Sequence, residues 1–113
     1  MTKLKFITVE KLLEMQANGE KFKLVETLTD YSYNKVGHIP GAINLPVDKI
    51  GKLASKHLKK TDTIVVYCAD YTCHASTNAA ATLLKRGYKK VLDFKTGKKG
   101  WIDAGFKLEK ENN

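Results

Sequence analysis

The sequence is poor in arginine, poor in cysteine and free of long apolar runs. Arg86 is the sole arginine among 20 basic side chains. Nucleic-acid readers depend on the arginine fork to engage guanine and phosphate. A net charge of +8 carried almost wholly by lysine therefore argues against that class and predicts no nucleic-acid partner. Lys3, Lys21, Lys35, Lys59, Lys89, Lys98 and Lys110 are spread along the chain and read as a solvated surface. Their sharper use is a positive field that gathers small anions. No stretch reaches the roughly 20 apolar residues of a membrane helix, and no apolar core of a secretory signal follows the lysines of the segment Met1 to Phe6. The expectation is a cytoplasmic protein without a membrane partner. Two cysteines, Cys68 and Cys73, are too few for a disulfide-stapled scaffold. In such a protein a close pair serves catalysis, redox chemistry or metal binding.

What is present is an ordinary globular composition, 42% hydrophobic and 28% charged over 113 residues. That length predicts one domain spanning residues 1–113, with one real core. There is no internal repeat, no low-complexity linker and no glycine-rich phosphate loop.

Thr8 caps a predicted helix that begins at Val9, with Leu12, Leu13 and Met15 on its apolar side and Asn18-Gly19 as its stop. Phe22 to Val25 reads as a strand and Thr27 to His38 as loop with a short helix. Ile39-Pro40-Gly41 is a turn, followed by a strand over Ala42 to Leu45 that Pro46 ends. Ile50, Leu53, Ala54 and Leu58 predict a helix over Asp48 to Leu58. Ile64-Val65-Val66-Tyr67 is β-branched, short and uninterrupted, the pattern of a strand buried on both faces of a parallel sheet. Ser76 to Arg86 follows as a helix with Gly87 after it. Val91 to Phe94 is another strand, and Lys98 to Ala104 a last helix anchored by Trp101. Strands alternating with helices predict an α/β fold with a mainly parallel sheet.

Cys68 directly follows the strongest strand. Ligands of open α/β sheets bind beyond the carboxyl ends of the strands. A loop there turns backbone N–H groups inward, and with the next helix N-terminus it stabilises anions. The expectation is a thiol of lowered pKa, although a small inert buried cysteine fits the position as well.

At these residues the chain resembles the rhodanese-like domain family of sulfurtransferases. Gly37-His38-Ile39-Pro40-Gly41-Ala42-Ile43-Asn44-Leu45-Pro46 is similar to the family's N-terminal signature, and Ile64 to Cys68 to its active-site strand and nucleophile. Ala79-Ala80 with Leu83-Leu84, then Gly87-Tyr88, resemble the helix that follows. Gly97, Trp101 and Ala104-Gly105-Phe106 resemble the closing segment. The resemblance runs from about Leu24 to Leu108. It implies a central parallel sheet of about five strands flanked by helices on both faces. It also implies that Cys68 accepts a sulfane sulfur as a persulfide and passes it to a thiol or another small nucleophile, with no cofactor and no metal. The substrate-binding loop would then comprise Ala69, Asp70, Tyr71, Thr72, His74, Ala75 and Ser76. The donor would be a small sulfur-containing anion such as thiosulfate, or a persulfide.

Several positions depart from the family pattern. Where many members place an arginine five residues after the cysteine, this chain has Cys73, in a loop about three residues longer. Glu26-Thr27-Leu28 and Lys95-Thr96-Gly97 replace other usual triplets. An arginine fork suits an oxyanion, so its absence predicts poor use of thiosulfate. His74, Lys95, Lys98 and Lys99 could supply partial compensation. The three lysines otherwise read as solvated surface, and His74 as a loop residue pointing to water, its sharper role being thiolate stabiliser or proton donor. Cys73 is expected either as a spectator or as a resolving thiol that closes a disulfide with Cys68 and calls for a thioredoxin-like reductant. His38 is expected to make structural hydrogen bonds. The alternative to an enzyme is a catalytically weak or idle rhodanese-like binding or regulatory module. A related phosphatase class needs arginine six positions after its cysteine, where this chain has His74. The Cys-x4-Cys-His spacing is not that of a structural zinc site.

Overall fold

The computed structural model describes residues 4–111. Its centre is a five-stranded parallel sheet in the order β1-β5-β4-β2-β3. The strands are β1 (Lys5–Ile7), β2 (Lys23–Glu26), β3 (Ile43–Asn44), β4 (Thr63–Tyr67) and β5 (Lys90–Phe94). The helices are α1 (Val9–Ala17), α2 (Ile50–His57), α3 (Ala75–Lys85) and α4 (Gly97–Asp103), and Ser32–Val36 forms one wide π-helical turn. The strand predicted at Ile64 to Tyr67 is the middle one, paired to β2 on one side and β5 on the other.

Side chains alternate across a strand, and β4 divides its residues accordingly. Ile64 and Val66 join a core with Val25, Ile50, Ala54, Ala79, Ala80 and Leu83, beneath α2 and α3. Val65 and Tyr67 join the other core with Leu12, Met15, Phe94 and Trp101, beneath α1 and α4. Both faces are thus covered, which is why the run carries no polar alternation.

The local signals hold with small shifts at the ends. The Thr8 side chain accepts the Lys11 N–H at 3.1 Å as the cap of α1. Gly87 takes the left-handed conformation after α3, at φ 96°. β3 is shorter than its apolar run implies, and α2 and α3 begin within two residues of where the spacing places them. β1 carries no prediction. Its three residues are too few to show a period, and as an edge strand it owes its place to pairing with β5.

One buried hydroxyl links the layers. Tyr67 Oη donates to Glu26 Oε1 at 2.9 Å and accepts the N–H of Ile39 at 3.0 Å. It ties β4 to β2 and to the Ile39-Pro40-Gly41 turn. Tyr67→Phe leaves both partners unsatisfied, which costs about 1–3 kcal/mol. Urea denaturation should show a lowered midpoint with an unchanged slope, whereas an unchanged midpoint would mean that this hydroxyl contributes nothing to stability.

Candidate active site

Cys68 leaves the carboxyl end of β4 fully buried. Its Sγ lies 3.4 Å from both the N–H and the hydroxyl oxygen of Ser76, in the first turn of α3. The thiol also faces the carbonyl oxygen of Cys73 at 3.6 Å. The start of α3 is anchored from the sheet, because Thr77 donates to buried Asp93 at 2.8 Å.

The loop between β4 and α3 is held mainly by one carboxylate. Asp70 Oδ1 accepts from the Thr72 N–H at 3.0 Å, the Thr72 hydroxyl at 2.7 Å and the Cys73 N–H at 3.1 Å. These bonds stabilise its negative charge, so its pKa falls below the usual carboxylate value, with the Thr72 hydroxyl contributing most. The turn carries Cys73 back toward Cys68 and leaves Tyr71 and Thr72 exposed at the tip. The backbone N–H groups of Ala69 and Ala75 act to lower the Cys73 pKa. His74 stands at the cap position of α3, exposed, with no side-chain capping bond. The structure therefore brings Cys68, Cys73, Ser76 and the backbone of Ala69 and Ala75 together. Asp70 and Thr72 shape the loop from outside, and the side chains of Tyr71 and His74 are exposed.

The floor of the site comes from α4. Lys98 N–H donates to the Cys68 carbonyl and Lys99 N–H to that of Ala69, each at 2.9 Å. A Cβ on Gly97, which sits at φ 58°, would fall 2.1 Å from the Cys68 carbonyl oxygen, so only glycine fits there. Lys98, read from the sequence as solvated, is instead buried. Its ammonium meets Glu26 Oε2 at 2.9 Å and Ser32 Oγ at 2.8 Å. A lysine is buried only when it is paired, and the partner lies on a distant strand where local pattern gives no signal. Burial still raises the Glu26 pKa despite the opposing pull of Lys98. Lys99 is exposed and paired with Asp103 at 2.8 Å. The Lys95 ammonium donates to the Cys73 carbonyl. His38 stacks on Tyr33, with Nδ1 3.0 Å from the Tyr33 carbonyl and Nε2 3.7 Å from Glu111, which is the structural role expected of it. Among the described residues, no three His, Cys, Asp or Glu side chains converge as a metal site.

The two thiols are both free, and their acidities reverse the expectation of a lowered Cys68 pKa. Burial pushes the Cys68 thiol up, and its hydrogen bond to Cys73 adds to this. The Ser76 hydroxyl and N–H oppose the shift without overcoming it. At Cys73 burial acts in the same upward direction, but the bonds from Cys68, Ala69 and Ala75 outweigh it, and the pKa falls below the ordinary thiol value. The sequence places a cysteine at a helix N-terminus but does not reveal how deeply it is buried, and depth decides the sign here.

This is a parallel α/β protein with an inward-facing cysteine loop at the carboxyl end of its central strand. The chain belongs to the rhodanese-like domain family, whose model matches residues 8–104. It is similar to the "Putative sulfur carrier protein YrkF" of Bacillus subtilis (strain 168), at 28% identity over 95 residues. That match covers 84% of this chain and 49% of the relative, so the chain spans about half the relative's length. The crystal structure of the BH2092 protein of Bacillus halodurans is similar with TM-score 0.85 and 27% identity, covering 94% of this chain and 77% of that one. The Alr3790 protein of Anabaena sp. gives TM-score 0.85 and 27% identity, covering 95% and 94%.

The lowered Cys73 pKa and the raised Cys68 pKa predict an order of alkylation. At neutral pH iodoacetamide should modify Cys73 first. The Cys68 rate should climb only as pH rises above the ordinary thiol value, because only the thiolate reacts. Peptide mapping across a pH series reads this directly, and Cys68 labelled first at neutral pH would reverse the assignment.

Proposed function

We propose that the chain is a sulfurtransferase that holds a sulfane sulfur as a persulfide on Cys68. The observation that carries the reading is the seat of Cys68 Sγ, buried at the end of β4 and 3.4 Å from the N–H and hydroxyl of Ser76. Donors fixed around a sulfur favour the anion that a persulfide becomes. The sulfur-carrier name of the relative YrkF points the same way.

In this scheme the donor is a persulfide, R–S–S⁻. Cys73, ionised before Cys68, takes the Cys68 proton as Cys68 Sγ attacks the donor's terminal sulfur. The donor's S–S bond breaks, RS⁻ departs with the electron pair and collects the proton from Cys73, and Cys68–S–S⁻ remains. The sulfur then goes to an external thiol or another small nucleophile. In the resolving branch Cys73 attacks Cys68 Sγ instead. A Cys68–Cys73 disulfide closes and the outer sulfur leaves with the electron pair of the broken S–S bond, taking a proton from solvent to depart as HS⁻. Two electrons from a dithiol, of the kind a thioredoxin-like protein supplies, restore both thiols. None of these steps calls for a metal or an organic cofactor.

Intact mass spectrometry after incubation with a persulfide donor tests both thiols. Wild type should gain one sulfur on Cys68, then lose it with two hydrogens as the disulfide closes. Cys68→Ser should hold no persulfide, because a hydroxyl is a far weaker nucleophile toward sulfur. Cys73→Ala should load slowly and then keep its sulfur until an external thiol is added. Loading that survives Cys68→Ser and vanishes in Cys73→Ser would move the carrier to Cys73. A wild type that keeps its persulfide as long as Cys73→Ala does, without a disulfide, would remove the resolving branch.

Thiosulfate should be the poorer donor. Arg86, the only arginine, sits against Gly51 on α2 rather than at the loop, so no guanidinium fork meets the sulfonate. One missing charge-assisted bond costs about 1.5–3 kcal/mol, or about ten- to a hundredfold in kcat/KM. Steady-state comparison with glutathione persulfide measures it, and equal efficiency for the two donors would contradict the expectation.

A further inference from the structure

The geometry singles out one cation at the sulfur site. Of the basic side chains near the carboxyl end of β4, Lys98, Lys99 and His74 are spent or exposed. Lys98 is buried in its pair with Glu26 and bonds both the hydroxyl and the carbonyl of Ser32. Lys99 is exposed and paired with Asp103. His74 is exposed at the start of α3. Lys95 differs from all three. It follows β5 directly, it is half-buried, and its ammonium reaches across to the carbonyl oxygen of Cys73. That same oxygen faces the Cys68 thiol at 3.6 Å. The ammonium also stands 5.8 Å from the centre of the Tyr71 ring, within cation–π range. Among the described residues it has no carboxylate within ion-pair distance. Its hydrogen-bond partner is a neutral carbonyl, which an anion can displace with a gain in Coulomb energy.

We propose that Lys95 is the binding residue for the anionic end of the sulfur donor. When a persulfide enters, the ammonium leaves the Cys73 carbonyl and takes up the donor's negative sulfur. After transfer it stands beside the new persulfide on Cys68. An ammonium is a compact point charge without a fixed fork, so it suits one charged sulfur better than a sulfonate with three oxygens. The exchange also frees the Cys73 carbonyl, which couples donor entry to movement of the segment that bears the second thiol. This inference rests on the sulfurtransferase reading and names the residue that gives that site its donor class.

The test compares two donors on wild type, Lys95→Met and Lys95→Arg. Glutathione persulfide is the anionic donor and an uncharged dialkyl trisulfide the neutral one. The readout is the donor concentration that half-saturates the rate at which free Cys68 thiol is lost. For glutathione persulfide, Lys95→Met should raise it about tenfold, the loss of one charge-assisted bond, and Lys95→Arg should restore most of the difference. For the trisulfide all three proteins should behave alike. Equal losses toward both donors would make Lys95 a strap that merely shapes the loop, and no loss toward either would remove it from the site. Thermal melts of the variants separate loop damage from global unfolding. If wild type gains no sulfur at Cys68 from glutathione persulfide, it is the sulfurtransferase reading that fails. If wild type loads from glutathione persulfide and both Lys95 variants load equally well, only the role of Lys95 is overturned.

Discussion

A buried lysine cannot stand alone, and much of the site follows from how this fold pairs one. Lys98 lies under the sheet's carboxyl edge with Glu26 as its counter-charge and Ser32 as its second partner. Taking either charge away would strand the other in the interior, at about 3–5 kcal/mol. Glu26 is in turn bound by Tyr67, the residue next to Cys68. The pair therefore fixes where α4 begins, and the backbone of α4 grips the carbonyls of Cys68 and Ala69. The conformation of the sulfur-bearing residue is set by an ion pair that never touches the sulfur.

The opposite wall is held by hydrogen bonds rather than by an ion pair. Asp70 gathers three donors from the two residues of the loop after Tyr71, and Ser76 meets Cys68 through both its backbone and its hydroxyl. The two cysteines consequently occupy different environments within one loop. Cys68 is sealed and reluctant to ionise, whereas Cys73 is partly open and ready to. A pair so divided separates the thiol that ionises more readily from the one sealed at the strand end.

How much of this was legible depends on whether the deciding interaction is local. The central strand was legible because burial on both faces leaves an uninterrupted β-branched run, Ile64 to Tyr67. Cys68 was legible because it stands at that strand's end, and the α1 cap because Thr8 precedes an apolar period. β1 was not, since three edge residues carry no pattern and gain their place from β5. The burial of Lys98 was invisible beside Lys99, which is exposed as the pattern suggests. The direction of the Cys68 shift is not legible, because a nest of donors and a depth of burial act oppositely on a thiol, and only the former leaves a trace in local sequence.

The chain's single tryptophan has an optical consequence. Trp101 is buried on α4, stacks on Phe106 and donates its indole N–H to the Lys107 carbonyl at 3.0 Å. α4 is also the helix whose first turn grips Cys68. Any event that lifts this helix from the strand end would hydrate the indole and redden its emission, with no other tryptophan to obscure the change. The fold thus carries its own fluorophore, one short helix away from the sulfur, and the seating of the site can be followed by light without a label.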